Sequence, residues 1–392
     1  MAPAHPITPF DTPIHVVRPR LPDLEGFVER LRAIWASGWL TNGGTQHVEL
    51  ELRLRQMLGV SSLSLFNNGT MALLTACRAL SLRGEVITTP FTFPATPHVL
   101  SWLGATPVFA DIDRATLTID PDRIEALITP RTTGILAVHV YGTPCDVDRL
   151  EDIARRHGLK LVYDAAHAFG VRVGGRGIGT FGDASAFSFH ATKVFHTAEG
   201  GALACSDPEL AAHAALLRNF GIRSEEEVEL PGLNGKLNEL QAALGLSVLD
   251  DLADEWRARL RLSAVYRDAL ADLPGLALPG PATAEGGLLY YVIRVDGDRF
   301  GCSRDELQRR LRELNVFTRK YFYPLCSDYP CYRHLASAAP SSLPVAREAA
   351  GQVLCLPLHA GVTPEQAAII GLMIRSCAAD GIAAAGMAAV SI

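Results

Sequence analysis

The sequence has no long hydrophobic run. No stretch approaches the roughly 18 consecutive apolar residues that a membrane-crossing helix needs, so no membrane partner is expected. It also has no surplus of positive charge. With 36 Lys+Arg against 42 Asp+Glu, the net charge is −6, and the basic footprint of a nucleic-acid binder is missing. The eight cysteines, at 77, 145, 205, 302, 326, 331, 355 and 377, contain no C-x-x-C pair. That spacing excludes a zinc ribbon or a disulfide framework and predicts reduced thiols with no metal. Cys326 and Cys331 lie near each other but have no accompanying ligands. The opening residues, Met1 to Pro9, lack the charged and apolar regions of a signal peptide, so a cytoplasmic location is expected. No internal repeat is present.

What remains is an ordinary globular composition, 48% hydrophobic and 20% charged over 392 residues. That length predicts two domains, or one large domain with an appendage. Residues 1–21 are proline-rich and read as an extended arm. Helical spacing follows at Leu24–Ser37 and Val48–Leu58. From Leu63 onward strands and helices alternate. Strands are predicted at Leu63–Phe66, Glu85–Thr89, Pro107–Asp111, Gly134–Val140, Lys160–Asp164, Ala184–Phe189 and Gly201–Cys205. Helices are predicted from Gly69 to about Leu82, from Pro97, at Pro121–Ile128, Asp146–His157 and Pro208–Asn219. Such alternation predicts an α/β fold with a large, doubly wound, mainly parallel sheet.

An acidic loop at Ser224–Glu229 and a long helical region from Gly232 towards Leu270 come next. Its stripe of Leu237, Leu240, Leu244 and Val248 reads as core or subunit contact. Pro274–Gly287 reads as a connection. A strand at Leu288–Val295, helices at Ser303–Leu314, Val345–Gln352 and Thr363–Ser376, and an Ala/Gly-rich end over 378–392 complete the chain. The domain expectation is residues 1–250 for the large domain with its arm and 251–392 for a smaller C-terminal α+β domain.

Three features of the alternating region bear on chemistry. Asn68-Gly69-Thr70 opens a helix after a strand, where free N–H groups and a hydroxyl suit a phosphate, although the same residues also serve as ordinary caps. Asp164 stands at a strand's carboxyl end, where open α/β sheets bind ligands. Lys193 lies in a polar loop between two apolar strands. A lysine there normally extends to water. A desolvated lysine can instead keep a free amine and form a Schiff base. Together, a lysine amine, a carboxylate for a pyridinium nitrogen and a phosphate seat are what a pyridoxal phosphate enzyme needs.

The ordered motifs resemble the DegT/DnrJ/EryC/StrS sugar aminotransferases, within fold type I of the pyridoxal phosphate enzymes. The resemblance runs from Leu40-Thr-Asn-Gly-Gly44 to Leu356-Pro-Leu-His359. It is carried by Asn68-Gly-Thr-Met-Ala-Leu73, Thr92-Phe-Pro-Ala-Thr96, Gly104-Ala-Thr-Pro-Val-Phe-Ala-Asp111, Asp164-Ala-Ala-His-Ala168, Ser188-Phe-His-Ala-Thr-Lys193, Glu199-Gly-Gly-Ala202 and Gly232-Leu-Asn-Gly-Lys-Leu-Asn-Glu239.

The resemblance implies Lys193 as Schiff-base lysine and proton carrier, Asp164 at the pyridine nitrogen, and His167, where many relatives carry Gln, at the ring hydroxyl. It implies Phe93 stacked on the ring and Gly69, Thr70 and Ser188 at the phosphate. Asn234 would reach the phosphate of a neighbouring subunit, making a homodimer with shared sites. Leu233 and Gly235 depart from the commoner Gly-Tyr-Asn-Tyr pattern. Arg319, Lys320 and Tyr321 are candidates for the substrate's phosphates.

Relatives that dehydrate a deoxysugar carry His at the lysine position, so Lys193 favours transamination. The expected reaction moves an amino group from L-glutamate to a nucleotide-linked keto-deoxysugar, with a 4-keto-6-deoxyhexose preferred. A 3-keto sugar, a cyclitol or an amino-benzoate precursor is the alternative ketone. A non-enzymatic regulatory relative is opposed by the intact Asp164 and Lys193.

Overall fold

A computed structural model describes residues 8–280 and 288–378 of the chain. The first residues of the expected arm, the end of the Pro274–Gly287 connection and the Ala/Gly-rich stretch after Ala378 lie outside the described residues.

Seven strands form the main sheet: β1 (Ser64–Phe66), β2 (Glu85–Thr88), β3 (Thr106–Phe109), β4 (Thr132–Val138), β5 (Lys160–Asp164), β6 (Ala184–Ser188) and β7 (Gly201–Cys205). Their order across the sheet is β1-β7-β6-β5-β4-β2-β3. Pairings from β6 through β3 are parallel, whereas β7 runs antiparallel to both β6 and β1.

Both faces are covered, so the middles of the strands are largely apolar and neighbouring side chains serve different cores. Val86, Leu136, Val162, Ala184 and Ala186 pack on one face with α3 (Gly69–Ala79), α4 (Ala95–Trp102) and α6 (Pro208–Arg218). Ile87, Ile135, Ala137, Leu161, Tyr163 and Phe187 face the other core. There they meet α2 (Thr45–Leu58), α5 (Val147–His157) and α7 (Glu239–Asp250), and α7 in turn packs against α1 (Leu24–Ser37).

A separate core gathers Leu262, Tyr266 and Leu270 of α8 (Leu252–Leu270) with Ile293, Leu307, Leu311, Leu354, Ile370 and Ile374. It is built on an antiparallel sheet of β8 (Leu276–Ala277), β9 (Tyr291–Val295) and β10 (Val353–Leu356). Ile14 joins this core because Ile14–His15 pairs with Val316–Phe317. The buried Arg259–Glu255 pair (2.6 Å) ties α8 to what surrounds it. Arg259 donates to the carbonyls of Leu288 and Leu289, and Glu255 accepts from the Ala360 N–H.

Three local expectations change. Pro121–Ile128 forms two 3₁₀ turns, Pro121–Arg123 and Glu125–Leu127, instead of a helix. Buried Ile124 pins the segment, and Pro130 drives Thr129 out of helical geometry. The acidic loop is the turn of a hairpin, Ile222–Ser224 with Glu227–Val228, closed by an Arg223–Glu229 ion pair. Residues 232–238 are not helical. Gly235 accepts from the Asn67 N–H and Lys236 bridges to Phe66, so the segment extends the sheet edge. Asn238 then caps α7 by accepting from the Gln241 N–H.

Candidate active site

The carboxyl ends of β5 and β6, the loop from β6 to β7 and the N-terminus of α3 open onto one cleft. Asp164, His167, Ser188, Lys193, Gly69, Thr70, Phe93, Arg319 and Tyr321 all line it. Lys320 does not. Its ammonium is held by Asp305 at 2.7 Å. Asn234 is exposed and also absent from the lining of its own cleft, with its carbonyl accepting from Asn67 Nδ2 at 3.3 Å.

Asp164 ends β5 and is only 7% exposed. Thr96 Oγ1 donates to its Oδ2 at 2.8 Å, and the Ala166 N–H donates to its Oδ1 at 3.0 Å. Burial raises the carboxyl's pKa, while Thr96, Ala166 and the Lys193 charge pull it down; the net direction is up. A buried carboxylate in this state gains from a cationic partner.

Lys193 is presented by a loop pinned from below. The Phe189 N–H donates to Gly200 and the Thr197 N–H to Phe189, closing the loop's base. The rings of Phe189 and Phe195 lie 4.8 Å apart, and Phe195 stacks on Phe169 at 4.9 Å. Burial lowers the Lys193 pKa and Asp164 raises it, while Arg319 lowers it further. The result is about 8, against 10.5 for a free lysine. The amine therefore loses its proton more readily than that of an ordinary lysine.

His167 is buried and its tautomer is fixed. The Tyr141 N–H donates to Nδ1 at 3.2 Å, so in the neutral ring the proton sits on Nε2. Tyr141 takes a left-handed backbone (φ 57°) to aim that N–H. Burial, then the Lys193 charge, depresses the His167 pKa well below its ordinary value, so the ring is neutral. Phe322 lies parallel to it at 5.7 Å and Tyr290 meets it edge-on at 5.6 Å.

The anion seat is backbone. Asn68 caps α3 by accepting from the Met71 N–H at 2.8 Å. The N–H groups of Gly69 and Thr70 have no acceptor among the described residues. Close approach of helix to sheet depends on glycine. A Cβ on Gly69 would lie 2.8 Å from Ser188 Cβ, and one on Gly201 would lie 2.6 Å from Gly69 N. The Ser188 hydroxyl lines the same floor. Helix N-termini of this kind favour a phosphate. Phe93 is 51% exposed at the mouth.

Sequence reading missed several groups of the site. Thr96, which holds Asp164 without lining the cleft, was visible only as a member of Thr92-Phe-Pro-Ala-Thr96; its hydroxyl lies 2.7 Å from that of Thr92. Tyr290 and Phe322 carry no local signal, because each arrives from beyond residue 288 and reads as core. His190 and Glu199, 3.5 Å apart, flank Lys193 in sequence and in space. Among the described residues no His, Cys, Asp or Glu cluster suits a metal, and no helix is long and apolar enough to cross a membrane.

The sequence model of the DegT/DnrJ/EryC1/StrS aminotransferase family matches residues 23–375. A protein of Shigella dysenteriae described as a dTDP-4-amino-4,6-dideoxy-D-glucose transaminase is 44% identical over 357 residues, covering 91% of this chain and 96% of its own. An Escherichia coli protein of the same description is 43% identical with the same coverage. Among solved structures, DesI, analysed in the presence of its TDP-sugar product, superposes with a TM-score of 0.91 at 38% identity, covering 97% of this chain and 96% of its own.

Proposed function

The chain belongs to the DegT/DnrJ/EryC1/StrS aminotransferase family, and we propose that it moves an amino group from L-glutamate to the 4-keto carbon of a nucleotide-linked 6-deoxyhexose. The observation that carries this reading is the convergence of Lys193, Asp164 and the unpaired N–H groups of α3 on one cleft. The sugar class is supported by the two relatives described as dTDP-4-amino-4,6-dideoxy-D-glucose transaminases.

The residues fit pyridoxal 5′-phosphate. A buried carboxylate with a raised pKa suits a protonated pyridine nitrogen, and the close helix–sheet approach at Gly69 and Gly201 leaves N–H groups for a phosphate. Asp164 would hold the ring nitrogen, His167 Nε2–H the ring hydroxyl, and Phe93 the ring face. Gly69, Thr70 and Ser188 would hold the phosphate. When bound, the group supplies an electron sink for the carbanion formed at the donor's α-carbon.

The chain's residues do the rest. Lys193 Nζ, whose proton burial makes easier to lose, takes the proton from the donor's α-carbon. Asp164 stays ionised opposite a cation. Neutral His167 donates without adding charge. Tyr290, Tyr321 and Phe322 form an aromatic wall that would bound the space for the sugar ring.

The protein is a cytoplasmic homodimer in which Asn234 serves the neighbouring site. The exposure of Asn234 and of Trp35, Trp39, Leu40 and Val48 supports a covered face there, and the eight free thiols support a reducing compartment.

The test is direct. Purified protein with pyridoxal phosphate and L-glutamate should convert dTDP-4-keto-6-deoxyglucose to the 4-amino sugar, detected by mass, at a rate well above that for the 3-keto isomer. Lys193→Ala should abolish the cofactor absorbance change on adding glutamate. Retained turnover in that variant, or exclusive use of the 3-keto isomer, overturns the assignment it concerns.

A further inference from the structure

Tyr141 is tied to both sides of the cleft without lining it. Its N–H donates to His167 Nδ1 at 3.2 Å, and its hydroxyl donates to the carbonyl of Tyr321. That carbonyl has no other donor among the described residues. His167 follows β5 on the floor of the cleft. Tyr321 belongs to the far wall, two residues after Arg319, whose backbone bridges to Cys355 of β10.

The ring between these two ends is clamped. It lies parallel to Phe322 at 5.9 Å, and Phe91 and Tyr290 meet it edge-on at 6.1 and 6.3 Å. Burial holds the phenol's pKa well above the ordinary tyrosine value, so the hydroxyl keeps its proton and remains a donor. At φ 57° the Tyr141 backbone occupies the left-handed region, which a bulky residue enters only at a cost. A histidine depends on the N–H so aimed more than an amide would. The neutral ring carries a single proton, and the partner of one nitrogen decides which of the two holds it.

We propose that Tyr141 is a positioning residue that makes docking of the C-terminal wall the condition for His167 to present its Nε2 proton to the cleft. The Tyr321 carbonyl fastens the hydroxyl, the fastened ring holds the left-handed backbone, and that backbone keeps His167 Nδ1 an acceptor. Released from this contact, Nδ1 is free to take the proton, and Nε2 then turns a lone pair to the cleft. The inference rests on the pyridoxal phosphate reading above only for what the Nε2 proton meets there, the ring hydroxyl of the cofactor.

Tyr141→Phe tests this, because it removes the hydroxyl and keeps the ring. In the full chain without cofactor, carrying histidine labelled with heavy nitrogen, long-range proton–nitrogen spectra tell the two tautomers apart. The His167 signals are assigned by their loss in His167→Gln. Wild type should show the Nε2–H pattern alone, and Tyr141→Phe a mixture of both. The loss passed on to the cofactor is bounded by the worth of one neutral hydrogen bond, roughly 2- to 13-fold. Equilibrium dialysis should show the pyridoxal phosphate dissociation constant raised by that factor in Tyr141→Phe. Glutamine donates from its amide whatever Tyr141 does, so in a His167→Gln background Tyr141→Phe should change nothing further.

Equal loss in both backgrounds would make the hydroxyl a general structural support and overturn the proposal. A single Nε2–H tautomer retained in Tyr141→Phe, or an affinity unchanged from wild type, would overturn it as well. If wild type takes up no pyridoxal phosphate, the cofactor reading itself falls, while the spectra of the unloaded protein still decide whether Tyr141 sets the His167 tautomer.

Discussion

Asp164→Asn separates the site's structural cost from its chemical use. Asp164 Oδ2 accepts from Thr96 and Oδ1 accepts from the Ala166 N–H. Asparagine can keep both contacts. Its Oδ1 accepts from Ala166, its Nδ2 donates to Thr96 Oγ1, and Thr96 turns its own proton to Thr92, 2.7 Å away. No cavity forms and no hydrogen bond is lost.

What changes is the buried charge. The Asp164 pKa is raised in the folded state, and that direction already includes the attraction of Lys193. For a raised carboxyl, the stability contribution is complete below the unfolded pKa, near 3.9, and is lost as pH rises through the folded value. Apo wild type therefore carries the full penalty at pH 7–8, and the variant carries none. Each pKa unit corresponds to about 1.4 kcal/mol.

The expected result is that apo Asp164→Asn equals wild type near pH 4 and becomes the more stable protein towards pH 8, measured by urea unfolding. Its glutamate half-reaction should fall by roughly 10²–10³-fold or more, because breaking a buried charge pair costs about 3–5 kcal/mol. A stability difference independent of pH, or a half-reaction within tenfold of wild type, would refute the reasoning.

The remaining predictions follow from single contacts. The glutamate half-reaction should rise with pH to a plateau around the Lys193 value of about 8. Because the Arg319 cation contributes to that depression, Arg319→Gln should move the midpoint upward; a midpoint near 10 in wild type would deny Lys193 its free amine. Gly69→Ala puts a Cβ 2.8 Å from that of Ser188. Overpacking of about 1–3 kcal/mol should weaken pyridoxal phosphate retention some 5- to 150-fold, read by equilibrium dialysis, with the fold intact by circular dichroism. Ala198 is exposed in the left-handed region (φ 63°). Ala198→Gly should therefore leave stability equal or raise it by up to about 1 kcal/mol in urea unfolding, and a clear loss would deny the strain.

The alternation of strands and helices was legible because burial on both sheet faces demands continuous apolar strands, and α3, β5 and β6 each carry their signal locally. The boundaries that moved did so for tertiary reasons. Residues 232–238 look helical by spacing, yet the unpaired edge at Asn67 offers hydrogen bonds that an extended segment can take. Pro121–Ile128 has helical residues, but Pro130 closes it too soon for more than 3₁₀ turns.

The floor of the cleft was readable for the same reason that its far wall was not. Asp164, Ser188 and the Gly69–Thr70 turn come from strand ends and one helix start within a single sheet, and Lys193 from the loop that follows β6, so each stands close in sequence to an element of the sheet. Arg319, Tyr321, Phe322 and Tyr290 come from the segment that pairs with or precedes β10, more than a hundred residues later in the chain than Asp164. Reading them as one block from adjacency, as with Arg319 and Lys320, assigns two cations to one task. The bridge to Cys355 resolves them, because alternate residues of an extended segment point to opposite sides. Arg319 faces Lys193's cleft and Lys320 faces Asp305.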